Sequence, residues 1–379
     1  MKALIITTHL NIGGIGLYTV NLAKYLGPLG VECSVLSSGG DLEPVLGDIG
    51  IKHYKFDIKT KSEFGVKMFR SLPGIIDLIK KEKFDLVHAQ TRVSQIIACM
   101  SGVFTGVPVI CTCHGFFNSR RLSRKLFPCW GKRTIAISNG VKEHLMRDFR
   151  VPEEKIDMIL NGIETDNFLN ISAEKDHALM KELDIPSDAL VVGTVGRLSE
   201  VKGQKYLIKA FKGIIGQFPK ARLLLVGEGP EEKELRCLVD DLSISEYVIF
   251  EGRMRKKLPV YLRLMDVFCL PSVMEGVGLA LMEAMASGCA CLASKTGGIP
   301  EVVDDGDNGI LVTPEDETAI QKALVCLLAD PKLRATLGER AREKAMEEFS
   351  IKDNIEKTRS SYEKLLAENK KKNGCVHGE

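Results

Sequence analysis

Short apolar runs alternate with helical patterns along nearly the whole chain of 379 residues, and this alternation constrains the fold most strongly. Such alternation is typical of parallel sheets covered by helices. A first series predicts strands at 2–7, 31–37, 84–89, 108–113 and 133–138 and helices at 16–27, 64–81 and 93–103. A second series begins with "ALVVGTVG" at 189–196 and continues through "ARLLLVG", "YVIFEG", "DVFCLPS" and "ACLAS". The sequence therefore predicts two doubly wound α/β domains.

The polar stretch 170–188 separates the two series and is the predicted linker. We expect an N-terminal domain over 1–172, a C-terminal domain over 173–345, a helix over 346–368 that packs back toward the N-terminal domain, and a disordered tail over 369–379. Ligands of doubly wound sheets bind beyond the carboxyl ends of the strands. We therefore expect the domains to face one another across a crevice that holds the site.

Composition indicates an ordinary globular protein, with 45% hydrophobic and 27% charged residues. The short apolar run in "MKALIITTHLNIGG" predicts a first strand rather than a signal peptide, and no run approaches the ~18 apolar residues of a membrane span. The 11 cysteines lack metal-ligand spacing and fit free thiols in a reducing compartment. We expect a cytoplasmic protein.

A glycine-rich turn follows the first strand, in "NIGGIGLYTVNLAKYL". Gly13, Gly14 and Gly16 allow a tight turn before a helix N-terminus that could face an anion. A dinucleotide fingerprint is disfavoured because Thr19 occupies its third glycine position and no acidic residue ends the second strand. The turn alone is weak evidence, and a plain strand-to-helix connection remains an alternative.

Two cations follow the first strand of the second series, in "GTVGRLSEVKGQKYLIKAF". Arg197 and Lys202 flank a turn that enters a helix near Gly203, beside the positive end of the helix dipole. The guanidinium fork and the compact ammonium suit phosphate oxygens. The spacing predicts a diphosphate site, with two solvated surface charges as the alternative.

The stretch "EGVGLALMEAMASG" at 275–288 places a carboxylate in an apolar helix. From Leu279 the helix is apolar on nearly every side, which predicts burial, yet Glu283 lies within it and needs hydrogen-bond donors. Gly276 and Gly278 leave the preceding amides accessible to a ligand. Glu275 and Glu283 could meet hydroxyls on opposite sides of a diphosphate, and nucleotide sugars have hydroxyls in both places.

The glutamate pair, together with "GRLSEVKG", "VGEGP", "LPS", "GGIPEVV", "NGILVTPED" and the N-terminal "GGIG", closely resembles glycosyltransferase family 4 over residues 1 to about 365. The resemblance implies a GT-B fold, with two Rossmann-like domains facing an interdomain crevice. It also implies a retaining enzyme that moves a sugar from a nucleoside-diphosphate sugar to a glycan or lipid-linked acceptor. Synthesis of cell-surface polysaccharide or glycolipid is the expected context.

The resemblance also implies roles for individual residues. Arg197 and Lys202 would bind the diphosphate and stabilise the leaving group, Glu275 would hold hydroxyls of the donor sugar, and Glu283 would hold the ribose. His114 in "ICTCHGFF" would reach the transferred sugar. The remaining donor contacts would come from Gly14, Gly16, Arg253 near the base, and the backbone of Gly276, Val277, Gly278 and Leu279.

The implied mechanism needs no cofactor and no obligatory metal, because cations and helix amides stabilise the charge on the leaving diphosphate. Asp305 and Asp307 form an Asp-x-Asp pair, but "VVDDGDNGIL" has the composition of a polar turn. A nucleotide-sugar epimerase or hydrolase of the same fold is a second hypothesis, although no acid and base pair beyond His114 is evident. A non-catalytic nucleotide-sugar binder is a third.

Positive charge is concentrated in residues 51–150, which contain 19 Lys plus Arg against 7 Asp plus Glu, or +12, while the whole chain carries +2. The segments 59–84 and 118–133 mix these cations with aromatic residues. The cations of the second segment include Arg120, Arg121, Arg124 and Lys125. Such mixtures favour an anionic bilayer surface. We expect peripheral attachment at the inner face of the membrane. A soluble anionic acceptor and a plain solvated face are alternatives, and no motif indicates nucleic acid.

Overall fold

The computed structural model describes residues 1–60, 63–119, 124, 127–168, 176–252 and 258–374. The chain forms two compact units, one from Met1–Leu160 with Ile351–Glu379 and the other from Asn161–Ser350. Among the described residues, no helix is both long enough and apolar enough to cross a membrane.

The first unit is built on a seven-stranded parallel sheet in the order β3-β2-β1-β4-β5-β6-β7. Its strands are β1 (Lys2–Ile6), β2 (Glu32–Ser37), β3 (Lys52–Lys55), β4 (Leu86–Ala89), β5 (Val109–Cys113), β6 (Arg133–Ala136) and β7 (Ile156–Met158). Its first helices are α1 (Gly14–Leu26), α2 (Glu43–Asp48), α3 (Val66–Glu82), α4 (Arg92–Thr105) and α5 (Asn139–Phe149). The strand order reverses where β1 lies between β2 and β4, which is where such sheets bind ligands.

The second unit has a six-stranded parallel sheet in the order β10-β9-β8-β11-β12-β13. The strands are β8 (Val191–Val195), β9 (Arg222–Val226), β10 (Val248–Glu251), β11 (Val267–Leu270), β12 (Ala290–Ser294) and β13 (Ile310–Val312). The helices are α6 (His177–Glu182), α7 (Gln204–Lys212), α8 (Glu232–Asp241), α9 (Leu258–Leu264), α10 (Leu279–Ala286), α11 (Glu317–Ala329) and α12 (Pro331–Glu348). Here the strand order reverses at β8, between β9 and β11.

Both faces of the first sheet are covered, as continuous apolar strands require. Along β1, Ala3 and Ile5 belong to one core cluster, whereas Leu4 and Ile6 belong to another. Because successive side chains of a strand point to opposite faces, these are the cores on the two sides of the sheet. β1 therefore lies in the centre of the unit, and the loop that follows it is held by a rigid strand.

The last helix, α13 (Ile351–Gly374), belongs to the first unit. The hydroxyl of Tyr362 lies 2.7 Å from Nδ1 of the buried His88. Arg133 makes two hydrogen bonds to Asp157, of 2.9 and 2.8 Å, and a third of 2.5 Å to Glu368. α13 is thus joined by polar contacts to β4 through His88, to β6 through Arg133, and to β7 through the hydrogen bond from Ser361 to Asp157, as well as by apolar packing.

The structure differs from the predicted domain limits in two places. Asn161 to Phe168 belong to the second unit, so the first unit ends before residue 172, and α6 lies inside the predicted linker 170–188 with Leu179 buried. α13 continues to Gly374, so the predicted start of a disordered tail at residue 369 is too early. Residues 375–379 lie outside the described residues.

Candidate functional site

Two loops meet at the switch point of the second sheet, one after β8 and one after β11. A Cβ on Gly203 would lie 2.1 Å from the carbonyl oxygen of Pro271, and the φ of Gly203 is +66°. Only glycine satisfies both conditions, because any side chain would collide with the backbone of the other loop. This contact brings Lys202 and Glu275, which are 73 residues apart in sequence, to the same place.

Lys202 and Glu275 form an ion pair in which the side chains are 24% and 14% exposed. The Glu275 carboxylate also accepts hydrogen bonds from the Ser272 hydroxyl and from the Gly276 N–H, both at 3.2 Å. The residues expected to bind different parts of one ligand therefore also bind each other. The Glu275 carboxylate thus neutralises the charge of Lys202, for which the sequence predicted a diphosphate as the partner.

Arg197 is exposed, and its guanidinium makes no ion pair with any residue in the described part of the chain. Its backbone carbonyl accepts a hydrogen bond of 3.0 Å from Nε2 of the buried Gln204, at the start of α7. The backbone of Arg197 is thus fixed while its cationic head group is available to an anion.

The backbone from Gly276 to Leu279 leads into α10, as the sequence predicted. Gly278 is the N-cap residue and supplies no side-chain cap, and the first turn of α10 contains no acidic residue. Val277 is buried and anchors the loop. The positive end of the α10 dipole therefore has no anion within the helix itself, although the Gly276 N–H before it donates to Glu275.

Glu283 lies on α10, whose Leu281, Met282, Ala284 and Met285 are buried, as predicted. Its carboxylate accepts no hydrogen bond from the residues that the structure describes. Burial raises the pKa of Glu283 to about 8, and the nearby charge of Glu164 raises it further. The helix therefore holds a carboxylate that has a strong need for hydroxyl donors.

The other predicted positions of the second unit contribute less to this geometry. Arg253 lies outside the described residues. Asp305 accepts a hydrogen bond of 2.9 Å from the Leu311 N–H, and Asp307 pairs with Arg340. The described residues contain no group of three or more His, Cys, Asp or Glu side chains that could hold a metal ion.

In the first unit, His114 immediately follows β5, and Gly14 begins α1. His114 Nε2 lies 2.8 Å from the side-chain oxygen of Gln90, and the Tyr18 ring contacts the imidazole edge to face with centroids 5.0 Å apart. Burial lowers the pKa of His114 to about 3, so the ring is neutral at physiological pH. A Cβ on Gly16 would lie 2.3 Å from the Asn11 carbonyl oxygen, which explains glycine there.

A pocket of about 590 Å³ opens beside the switch point of the first sheet. Its lining combines hydroxyl, cationic and imidazole groups, from Thr8, His9, Lys59, Thr60, Thr91, Arg92 and Val93. Lys59 is exposed and makes no ion pair within the described part of the chain. The sequence analysis did not identify this pocket, although polar residues directly after β1 and β4 were a usable signal.

The basic surface differs from its prediction at Arg124, while Arg120, Arg121 and Lys125 lie outside the described residues. Arg124 is not a free surface cation: its side chain is only 13% exposed and donates a 2.6 Å hydrogen bond to Glu63. Glu63 also contacts Arg92, whose guanidinium donates to the Phe127 and Pro128 carbonyls. Arg124 therefore anchors its own segment.

Two doubly wound units in one chain, each with polar side chains at its switch point, have the architecture of the GT-B fold. The chain belongs to glycosyltransferase family 4. The family model for glycosyl transferases group 1 matches residues 175–344, and the model for Glycosyltransferase Family 4 matches residues 12–167. The resemblance inferred from the sequence is confirmed, and with it the assignment as a glycosyltransferase.

Individual relatives agree with this assignment. The UDP-Gal:alpha-D-GlcNAc-diphosphoundecaprenol alpha-1,3-galactosyltransferase of Escherichia coli is 30% identical over 78% of this chain and 80% of its own. The N-acetyl-alpha-D-glucosaminyl L-malate synthase of Bacillus anthracis is 27% identical over 96% and 97%. HepE from Anabaena, solved in complex with UDP-glucose, has a TM-score of 0.84 at 24% identity over 95% of this chain and 100% of its own, which confirms the fold.

Proposed function

We propose that this glycosyltransferase transfers a sugar from a nucleoside-diphosphate sugar to a glycan or lipid-linked acceptor, with retention of the anomeric configuration. The observation that carries the proposal is that three sources of positive charge follow the two neighbouring strands of one switch point: Arg197 and Lys202 follow β8, and the N-terminus of α10 follows β11. Three sources of positive charge in one place suit a diphosphate.

The carboxylates on either side of the diphosphate site supply the rest of the donor contacts. Glu275 precedes α10 and accepts hydrogen bonds from hydroxyls of the sugar. Glu283 accepts hydrogen bonds from the ribose hydroxyls, because no described group of the protein donates to it. The Glu275 carboxylate only accepts hydrogen bonds, and Glu283 becomes such an acceptor when ribose hydroxyls lower its pKa. The E. coli relative has a UDP-sugar in its name, which supports a donor of this kind.

Catalysis then consists largely of stabilising the leaving group. As the bond between sugar and phosphate breaks, negative charge accumulates on the diphosphate, and Arg197, Lys202 and the α10 amides stabilise that charge. The leaving phosphate accepts the acceptor's proton on the same face of the sugar, which yields retention. These cations supply the charge that a metal would otherwise supply, so we propose that no metal is obligatory.

The pocket of the first unit is the proposed acceptor site. Threonine hydroxyls from Thr8 and Thr91 suit carbohydrate hydroxyls, and Lys59 suits an anionic group such as the phosphate of a lipid carrier. The name of the E. coli relative includes a diphosphoundecaprenol acceptor, which supports a lipid-linked acceptor here. Cell-surface polysaccharide or glycolipid synthesis is the proposed context.

We also propose peripheral attachment to an anionic membrane at its inner face. Val66, Phe69 and Phe127 are 72%, 46% and 54% exposed, and the Phe127 ring contacts Phe64, two residues before α3. Arg70 is exposed on the same helical face as Val66, four residues away. Apolar side chains beside an available cation are suited to the headgroup region of a bilayer.

A vesicle-flotation experiment tests the attachment. The protein should float with anionic vesicles at low salt, and binding should fall when Phe69→Asn is combined with neutral residues at Arg120, Arg121 and Lys125. Val103→Ser is the matched control, because it removes an exposed apolar side chain from α4, a helix that contributes none of these surface residues. Equal flotation of the two variants would contradict attachment through this surface.

A nucleotide screen tests the donor proposal. Nucleoside diphosphates should raise the melting temperature of the parent protein, and Lys202→Ala and Arg197→Ala should each reduce that rise. Labelled donors that produce a stabilising response are then incubated with lipid-linked acceptors. If no nucleoside diphosphate stabilises the parent protein, the donor site is assigned wrongly.

A further inference from the structure

Gln90 is a buried residue at the switch point of the first sheet, and the proposed reaction assigns no role to it. It directly follows β4, and its N–H donates a hydrogen bond of 2.9 Å to the Ile6 carbonyl at the end of β1. The side chain is 2% exposed, and its oxygen lies 2.8 Å from His114 Nε2. The backbone and side chain of Gln90 are therefore fixed directly beside His114.

The chemistry of this contact selects one form of the imidazole. A carboxamide oxygen only accepts hydrogen bonds, so Nε2 of His114 carries the proton and Nδ1 keeps its lone pair. Within the described part of the chain, Nδ1 makes no hydrogen bond. The Gln90 amide nitrogen is buried and likewise lacks a partner among the described residues.

The groups around His114 leave it neutral. His88, on β4, is fully buried with its pKa lowered to about 3, and burial raises the pKa of Tyr18 to about 12. Gln90 does not titrate. A hydroxyl-bearing ligand at His114 thus meets an imidazole acceptor and a buried amide donor, and no charged side chain among these neighbours competes for it.

We propose that Gln90 binds substrate and positions His114: its oxygen fixes the Nε2–H tautomer, its amide donates to one carbohydrate hydroxyl, and His114 Nδ1 accepts from another. The inference rests on the proposed function, because it takes His114 to contact the transferred sugar. It assigns to Gln90 a part in carbohydrate recognition and explains why a neutral amide rather than a carboxylate lies there.

Gln90→Glu is the sharpest test, because it keeps the acceptor and adds a charge. A carboxylate against Nε2–H should raise the pKa of His114 by about one to three pH units. Below that higher pKa the ring is protonated at Nδ1 and no longer accepts a hydroxyl. The kcat/KM of Gln90→Glu should therefore decrease as the pH falls, in a range where the parent profile is flat.

Gln90→Leu removes both hydrogen-bonding groups and should lower kcat/KM about tenfold or more. Nitrogen NMR of His114 should show a single Nε2–H tautomer in the parent and a mixture of tautomers in this variant. The matched controls are Gln95→Leu and Gln95→Glu: Gln95 is also buried with an unpaired side-chain oxygen, but it bonds to the Thr112 carbonyl instead of His114.

The Gln90 and Gln95 variants distinguish a role of Gln90 at His114 from a general effect of changing a buried amide. The proposal is supported if Gln90→Leu mixes the tautomers of His114 and Gln90→Glu raises the pKa of His114 and changes the pH profile, while the Gln95 variants do neither. It is overturned if both pairs behave alike, if His114 keeps one tautomer in Gln90→Leu, or if the pKa of His114 is unchanged in Gln90→Glu. A parent protein without transfer activity would defeat the proposed function, whereas the NMR spectrum would still decide whether Gln90 fixes the tautomer.

Discussion

The ion pair between Lys202 and Glu275 predicts an unusual result for Glu275→Gln. The side chains are 24% and 14% exposed, so the pair is only partly screened by water. A charge-assisted hydrogen bond of this kind contributes about 1.5–3 kcal/mol. A diphosphate that binds Lys202 must share or replace that bond, and it also encounters the negative charge of Glu275.

The neutral variant removes both obstacles. If about half of the bond's contribution opposes binding, free nucleoside diphosphate should bind Glu275→Gln about three- to tenfold more tightly, or about 0.7–1.4 kcal/mol. Transfer from the complete donor should nevertheless fall about ten- to a hundredfold, because the sugar hydroxyls lose a charged acceptor. Affinity and activity should thus change in opposite directions.

Calorimetry with the free diphosphate and initial rates with the complete donor measure the two effects. Glu200→Gln is the matched control, since Glu200 is an exposed carboxylate two residues from Lys202 with no ion pair in the described part of the chain. Weaker binding of the diphosphate by Glu275→Gln, or an equal gain in affinity in Glu200→Gln, would show that Glu275 does not oppose diphosphate binding.

Three further predictions concern other parts of the molecule. Arg197→Ala should lower kcat/KM about tenfold or more without changing the melting temperature, because the exposed guanidinium contributes only when the anion is bound. Nucleoside diphosphate binding should release a proton at pH 7, because ribose hydroxyls lower the pKa of Glu283 from about 8. The affinity should therefore rise with pH up to about 8. Calorimetry in buffers of different ionisation enthalpy measures the released proton. Tyr362→Phe should lower the free energy of unfolding by about 1–3 kcal/mol in chemical denaturation, because the buried His88 loses a 2.7 Å partner; an unchanged value would contradict the role given to this bond.

The central strands could be predicted from the sequence because burial on both faces leaves a continuous apolar run. β12, for example, is fully buried and was predicted at its observed limits. β3, β7 and β13 were missed. Each has three or four residues and lies at the edge of its sheet, where fewer neighbours require apolar side chains.

The donor residues could be predicted from the sequence because Arg197, Lys202 and Glu275 lie in loops after strands and, like Glu283, carry a charge that needs a partner. Their mutual pairing could not be predicted, because Lys202 and Glu275 meet through the contact of Gly203 with Pro271. Arg124 was misassigned for the same reason: sequence gives its charge but not the buried Glu63 that neutralises it. Gln90 was overlooked since a neutral side chain has no signal in the charge pattern.

The most direct test of glycosyl transfer is to follow both products of one reaction, with an α-linked labelled nucleoside-diphosphate sugar and a lipid-linked acceptor. We expect one nucleoside diphosphate released for each sugar transferred, an α linkage in the product by proton NMR, and a rate at least about tenfold lower for Lys202→Ala. Free sugar released at the same rate without acceptor would indicate a hydrolase, and an isomerised donor would indicate an epimerase. Either result, or diphosphate binding without turnover of any donor and acceptor, would contradict glycosyl transfer as the function of this protein.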